Sequence, residues 1–208
     1  MRRLILVRHG ETDFNVARRF QGHLDTRLNE VGEAQARAAA SRLASEPVIL
    51  CISSDLQRCA ATARAIAEPH HLEVELDPDL RESHLGDLQG RYIDDWGSIL
   101  GDDSEWVARR TVRSRPPGQG GESALDVRRR IRRFVRRLAE REPTLPDGTI
   151  VIVGHGGSLC ALTAYLLGFP PAAATAFRFN NCSLTTINWT PGGRTLLMGH
   201  NEISHLAG

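Results

Sequence analysis

Thr149-Ile150-Val151-Ile152-Val153-Gly154-His155-Gly156-Gly157-Ser158 is the stretch on which the fold turns. Ile150 to Val153 are apolar without alternation, which marks a strand buried on both faces. Gly154 to Gly157 make a tight turn, and residues 158–167 read as a helix closed by Gly168. A strand buried on both faces and followed at once by a helix belongs to a sheet covered by helices on each side.

The rest of the chain repeats this pattern. Residues 3–7 and 48–52 are short apolar runs, and 73–76 is a weaker one. Residues 184–189 and 195–199 read as strands joined by a P-G-G turn. Helices are predicted over 30–45, stopped by Pro47, and over 55–68, opened by a Ser54–Gln57 capping box. A third, at 123–141, is capped by Ser123 and carries Val127, Ile131, Phe134, Val135 and Leu138 on one face. Strands alternating with helices predict a three-layer α/β/α sandwich with a mostly parallel central sheet, in one domain over residues 1–208. Residues 82–120 are the least regular, and the part at about 91–120 reads as an excursion that sets substrate choice.

Composition narrows the chemistry. The 208 residues carry a net charge of +1 and 41% hydrophobic residues, enough for a sizeable core. Every basic residue is arginine, which excludes a Schiff-base lysine and a lysine-containing P-loop. Cys51, Cys59, Cys160 and Cys182 form no zinc pattern and read as small buried thiols. The apolar run at Leu4–Val7 is too short for a signal-peptide core, and no run approaches a membrane span. The expectation is a soluble cytoplasmic protein with no membrane partner.

In open α/β sheets the ligand lies beyond the carboxyl ends of the strands. That rule selects three loops. The first holds Arg8, His9, Gly10, Glu11, Thr12 and Asn15; the second, S-S-D-L-Q-R, ends on Arg58; the third holds His155 between glycines. Arg58 stands in the first turn of its helix, where free N–H groups already attract phosphate. Its forked guanidinium adds donors suited to phosphate oxygens. Gly156 and Gly157 let the backbone approach a ligand closely. A cationic pocket of this kind needs a proton donor for the leaving group. Glu82, Asp79, Glu11 and Asp87 are all candidates by pattern.

These residues together resemble the histidine phosphatase superfamily, which contains the cofactor-dependent phosphoglycerate mutases. The resemblance rests on R-H-G-E-T at 8–12 with Asn15, F-Q-G-H-L-D at 20–25, S-S-D-L-Q-R-C at 53–59, R-E-S-H-L-G-D-L-Q-G at 81–90 and G-H-G-G at 154–157. It implies that His9 attacks phosphorus and becomes phosphohistidine. It also implies that Arg8, Arg58 and His155 hold the phosphoryl oxygens, helped by Asn15 and the Gly156 N–H. Glu82 is then the general acid, later the base, and Gln21, Gly22 and Leu85 lie against the substrate. No metal and no cofactor are required. His9 must be neutral to attack, and nearby cations lower its pKa.

The resemblance covers both mutases and phosphatases. As aligned here, mutases place an arginine directly after the catalytic glutamate, and this chain has Ser83. They also place a lysine after the glycine-rich turn, and this chain has none. The P-G-Q-G-G-E-S run at 117–123 is similar to broad-specificity phosphatases, some acting on sugar phosphoglycerates or ribazole phosphate. The expected reaction is therefore hydrolysis of a small phosphorylated metabolite, with a phosphoglycerate mutase as the alternative.

Two further readings stand beside this one. Seven arginines between Arg128 and Arg137 crowd one helix. They read as the solvated face of an amphipathic helix rather than a nucleic-acid patch, so no nucleic-acid partner is expected. Phe14, Phe20, Leu85, Trp96 and Trp106 are candidates for the pocket mouth, and an edge strand such as 73–76 leaves room for a homodimer.

Overall fold

The computed structural model describes residues 1–95 and 112–207. Trp96, Trp106 and most of the expected excursion lie outside the described residues. Six strands form one sheet: β1 (Arg2–Arg8), β2 (Val48–Ser53), β3 (Val74–Leu76), β4 (Thr149–Gly154), β5 (Leu184–Trp189) and β6 (Leu196–Glu202). Their order is β3-β2-β4-β1-β5-β6. β1 to β4 run parallel, and β5 is antiparallel to both its neighbours. The α-helices among the described residues are α1 (Asp13–Val16), α2 (Glu30–Leu43), α3 (Gln57–Ala67), α4 (Ala124–Arg141) and α5 (Gly156–Leu166).

Alternation along the central strands builds two apolar layers. Leu4, Leu6, Leu50, Ile52, Ile150 and Ile152 face α4 and α5, where Ile131, Phe134, Leu138, Leu159 and Leu162 meet them. Ile5, Val7, Cys51, Val151 and Val153 face α2 and α3, where Ala36, Ala39, Leu43, Cys59, Ala63 and Ile66 meet them. Each fully buried Leu, Ile, Val or Phe side chain among these contributes about 1.5–3 kcal/mol. The small residues of α2 let it approach the sheet closely. The three-layer sandwich is as expected, with a mixed sheet. No helix among the described residues is long and apolar enough to cross a membrane.

Register decides what the strand ends bring together. Arg8 pairs with Gly154, and Ser53 pairs with Val153. His9, Ser54 and His155 therefore leave the sheet at the same level. The His9 amide continues the ladder to Gly154 O (3.0 Å), and the Ser54 amide to Val153 O (3.0 Å).

One expected helix start is corrected. α3 begins at Gln57 with Leu56 as its N-cap, and Ser54 forms no capping box. Ser54 lies too far upstream to reach the helix's third amide. Its buried hydroxyl meets His155 Nε2 at 2.9 Å instead. The Gln57 amide and side chain both donate to Asp25. The Ser123 cap is present as expected, with Asp126 closing the box.

Candidate active site

The loop after β1 is held by a close backbone approach. A Cβ at Gly10 would fall 2.4 Å from Gly32 O in α2, so only glycine fits. The Gly10 amide donates to Thr62 Oγ1 of α3 at 3.1 Å. These contacts press the loop against the sheet end and bury His9 to 3% exposure.

His9 Nδ1 lies 2.7 Å from Gly10 O. A carbonyl only accepts, so Nδ1 carries the proton and Nε2 keeps its lone pair. Burial, then Arg8 and Arg58, hold the His9 pKa well below its ordinary 6.5. The ring is therefore neutral at pH 7. The His9 carbonyl accepts from Asn181 Nδ2 at 2.9 Å.

Arg58 is fully buried. NH1 donates to Leu24 O (2.6 Å) and Thr26 Oγ1 (3.4 Å), and NH2 to Gly22 O (2.9 Å). Nε donates to His155 Nδ1 at 3.2 Å. Nδ1 is thus an acceptor, and the His155 proton sits on Nε2, facing Ser54 Oγ. The His155 ring meets the edge of His9 with centroids 5.2 Å apart. Burial, Arg58 and His9 lower the His155 pKa well below 6.5.

Arg8 is less occupied. NH1 donates to Phe179 O at 2.7 Å, while Nε is buried with no partner among the described residues. Burial lowers the pKa of both arginines, yet a guanidinium stays charged at neutral pH.

Glu82 reaches the same place from the loop after β3. Its Oε2 accepts from the Gly157 amide at 2.9 Å and its Oε1 from the Ser83 amide at 2.8 Å. A Cβ at Gly156 would lie 3.8 Å from Arg8 Nε and 4.0 Å from Glu82 Oε2. Acid and cation thus converge over the first turn of α5. The other candidate acids are engaged elsewhere. Glu11 accepts from Asn29 (3.0 Å), Asp79 pairs with Arg133 and Arg137, and the Asp87 carboxylate lies against Gly118, where a Cβ would fall 2.1 Å from its Oδ1.

The remaining expected residues differ in their engagement. Asn15 Oδ1 accepts from the Thr12 amide (3.1 Å) and Thr12 Oγ1 (3.0 Å), which turns its Nδ2 outward as a donor. Gln21 is buried, and its Oε1 accepts from Thr26 at 2.6 Å and Thr12 at 3.2 Å. Gly22 sits at φ +53 and serves Arg58 through its carbonyl. Leu85 is half-buried beside Gln89. Phe14 and Phe20 are half-buried too.

Several functional residues escaped sequence reasoning. Ser54, Thr62 and Asn181 act through contacts between distant segments, with no local signal. Arg130 had one: it lies three residues after Val127 and four before Phe134, inside the apolar stripe of α4. It is 6% exposed, so the solvated-face reading is corrected at this position. Among the other arginines of that helix, Arg128 donates to Phe169 O, and Arg129 pairs with Asp126, Arg133 with Asp79, Arg136 with Glu140 and Arg137 with Asp77.

The family model of the histidine phosphatase superfamily (branch 1) matches residues 4–202. The chain is 41% identical over 206 residues to a glucosyl-3-phosphoglycerate phosphatase of Mycobacterium tuberculosis, covering 92% of this chain and 88% of that protein. It is 39% identical to a "Probable phosphoglycerate mutase GpmB" of Photorhabdus laumondii, covering 91% of this chain and 86% of that protein. A solved mycobacterial glucosyl-3-phosphoglycerate phosphatase, complexed with VO3, superposes with a TM-score of 0.85 at 40% identity, covering 97% and 99% of the two chains.

Proposed function

The chain belongs to the histidine phosphatase superfamily, branch 1, and on that footing we propose that its phosphomonoesterase chemistry runs through Nε2 of His9. The observation that carries this is the His9 Nδ1–Gly10 O bond, which leaves Nε2 as the free lone pair.

In the first step the Nε2 lone pair attacks phosphorus, and the ester P–O bond breaks. Glu82, protonated, gives its proton to the leaving oxygen, and the alcohol departs. The ring becomes a phosphoimidazolium whose positive charge is steadied by Gly10 O through Nδ1–H. In the second step Glu82 takes a proton from water, the water oxygen attacks phosphorus, and the P–N bond breaks. His9 returns to its neutral form with its Nδ1 proton in place.

Arg8 is the principal phosphoryl ligand in this reading, because most of its donors are uncommitted. Arg58 spends four of its five N–H bonds on the protein and has one on NH2 for the phosphoryl group. His155 gives its Nε2–H to a phosphoryl oxygen in exchange for Ser54. Asn15 Nδ2 and the Gly156 amide complete the set. These donors stabilise the charge spread over the transferring group's equatorial oxygens. Gln21, Gly22 and Leu85 border the leaving group. The described residues operate as one catalytic domain.

The similarity to glucosyl-3-phosphoglycerate phosphatases supports a phosphorylated glycerate carrying a sugar as the substrate class. Ser83 in place of an arginine after Glu82 favours transfer to water over return to a phosphoglycerate. A panel of phosphomonoesters with EDTA present tests both points. Phosphate release from a sugar phosphoglycerate, faster than interconversion of 2- and 3-phosphoglycerate, is expected. Faster interconversion would overturn the reading.

A further inference from the structure

Arg130 emerges from α4 beneath the Glu82 loop, and every one of its donors is used. Nε donates to Glu122 Oε1 (3.0 Å); NH1 to Asp79 O (2.8 Å) and Arg81 O (2.6 Å); NH2 to Glu82 O (3.0 Å) and Glu122 Oε2 (3.2 Å). A guanidinium has five N–H bonds, and here each finds an acceptor. The Glu82 carbonyl accepts a second bond, from His23 Nε2 at 2.8 Å. Glu122 also holds the neighbouring loop, because its Oε2 accepts from the His84 amide at 2.9 Å.

We infer that Arg130, oriented by Glu122, is a positioning residue that sets where the Glu82 carboxyl meets the leaving oxygen. Glu82 stands on a segment without regular strand or helix, so nothing in the sheet ladder fixes its backbone. Its carboxylate is tied to the start of α5 through the Gly157 amide. Its backbone is tied to α4 through Arg130. A proton donor held between two helices keeps its reach to the reacting oxygen, and reach decides general-acid efficiency before pKa does. A lysine at position 130 has three donors on a flexible stem and cannot span three carbonyls and a carboxylate.

The inference rests on Glu82 being the general acid, and leaving-group dependence separates the two ideas. The measurement is kcat/KM for an alkyl phosphate and for an aryl phosphate with an acidic phenol, on Arg130→Lys, Glu122→Gln, Glu82→Gln and Arg136→Ala in the full chain. kcat/KM reports the phosphoryl-transfer step, and a phenol of low pKa leaves without help. General acid catalysis contributes about 10²–10⁴-fold. Glu82→Gln should lose about that on the alkyl ester and little on the aryl ester. Arg130→Lys and Glu122→Gln should lose about 10- to 100-fold on the alkyl ester and under about 3-fold on the aryl ester, a fraction of the same effect. Arg136→Ala, on the outer face of α4, should change neither.

The ratio between the two substrates is the readout, because loss of folded protein lowers both alike. Glu122→Gln keeps side-chain volume, so it carries the test if Arg130→Lys does not fold. Equal losses on both esters, or none, in the Arg130 and Glu122 variants while Glu82→Gln discriminates would overturn the positioning role alone. Failure of Glu82→Gln to discriminate would overturn the acid assignment and this inference with it.

Discussion

His9 Nδ1 and Gly10 O lie 2.7 Å apart, and that one bond selects which ring nitrogen can act as a nucleophile. The bond is local, between a side chain and the next residue's carbonyl, but it is held in place by α2 and α3 pressing on Gly10. Phosphoenzyme trapped by acid quench should therefore carry phosphorus on Nε2, readable by phosphorus NMR. His9→Ala should lose at least about 10³-fold in phosphatase activity while the fold survives. Phosphate on Nδ1, or retained activity, would sink the assignment.

The two buried histidines make a pH signature. Both His9 and His155 are held well below 6.5 in the folded protein, by burial first and by arginines next. The unfolded chain takes up protons near pH 6.5, and the folded chain does so only lower. Between those points the unfolded state binds more protons, so stability is full above about pH 6.5 and falls as pH drops. Thermal melts from pH 7.5 to 5 should show Tm declining, and His9→Gln should flatten part of that decline. The acid limb of kcat/KM should likewise lie below an ordinary histidine's value.

Gly157 faces the Glu82 carboxylate with no room to spare. A Cβ there would fall 2.4 Å from Oε1. Gly157→Ala sits in a helical turn that alanine accepts, so the protein should fold. The carboxyl must move, and displacement of a catalytic group by about 1 Å costs on the order of 10²-fold. Rate loss on alkyl esters at near-constant Tm is the expected result.

Arg8 and Arg58 should separate activity from stability. Arg58→Met strands Gly22 O and Leu24 O, and each unpaired buried acceptor costs about 1–3 kcal/mol. Arg8→Met strands only Phe179 O. Both variants should lose activity, but urea melts should show the larger destabilisation for Arg58→Met. The reverse ranking would contradict the donor accounting.

Five of the seven arginines between Arg128 and Arg137 on α4 are paired with carboxylates. Arg136→Ala removes an exposed pair with Glu140 and should change stability by less than about 0.5 kcal/mol. Retention on DNA at about 0.15 M salt is expected to be negligible, because the neighbouring carboxylates leave little free charge for phosphate contacts.

The sheet was legible from the chain itself, because unbroken apolar runs such as Ile150–Val153 and Leu4–Val7 have one stable destination, a strand covered on both faces. His9, Arg58 and His155 were legible too, since the carboxyl ends of such strands are where ligands bind. Choosing Glu82 over Asp79 and Glu11 took the motif resemblance; in the folded chain Asp79 faces Arg133 and Glu11 faces Asn29, contacts that no local pattern announces. Tertiary structure alone decided the fate of Ser54, whose hydroxyl turned from a helix cap to His155, because register sets Ser53 against Val153. It alone revealed Arg130 as a buried clamp among surface arginines. Local periodicity records which residues avoid water; which polar atoms then meet depends on how the strands align and the helices cross, and those distances exist only in the folded chain.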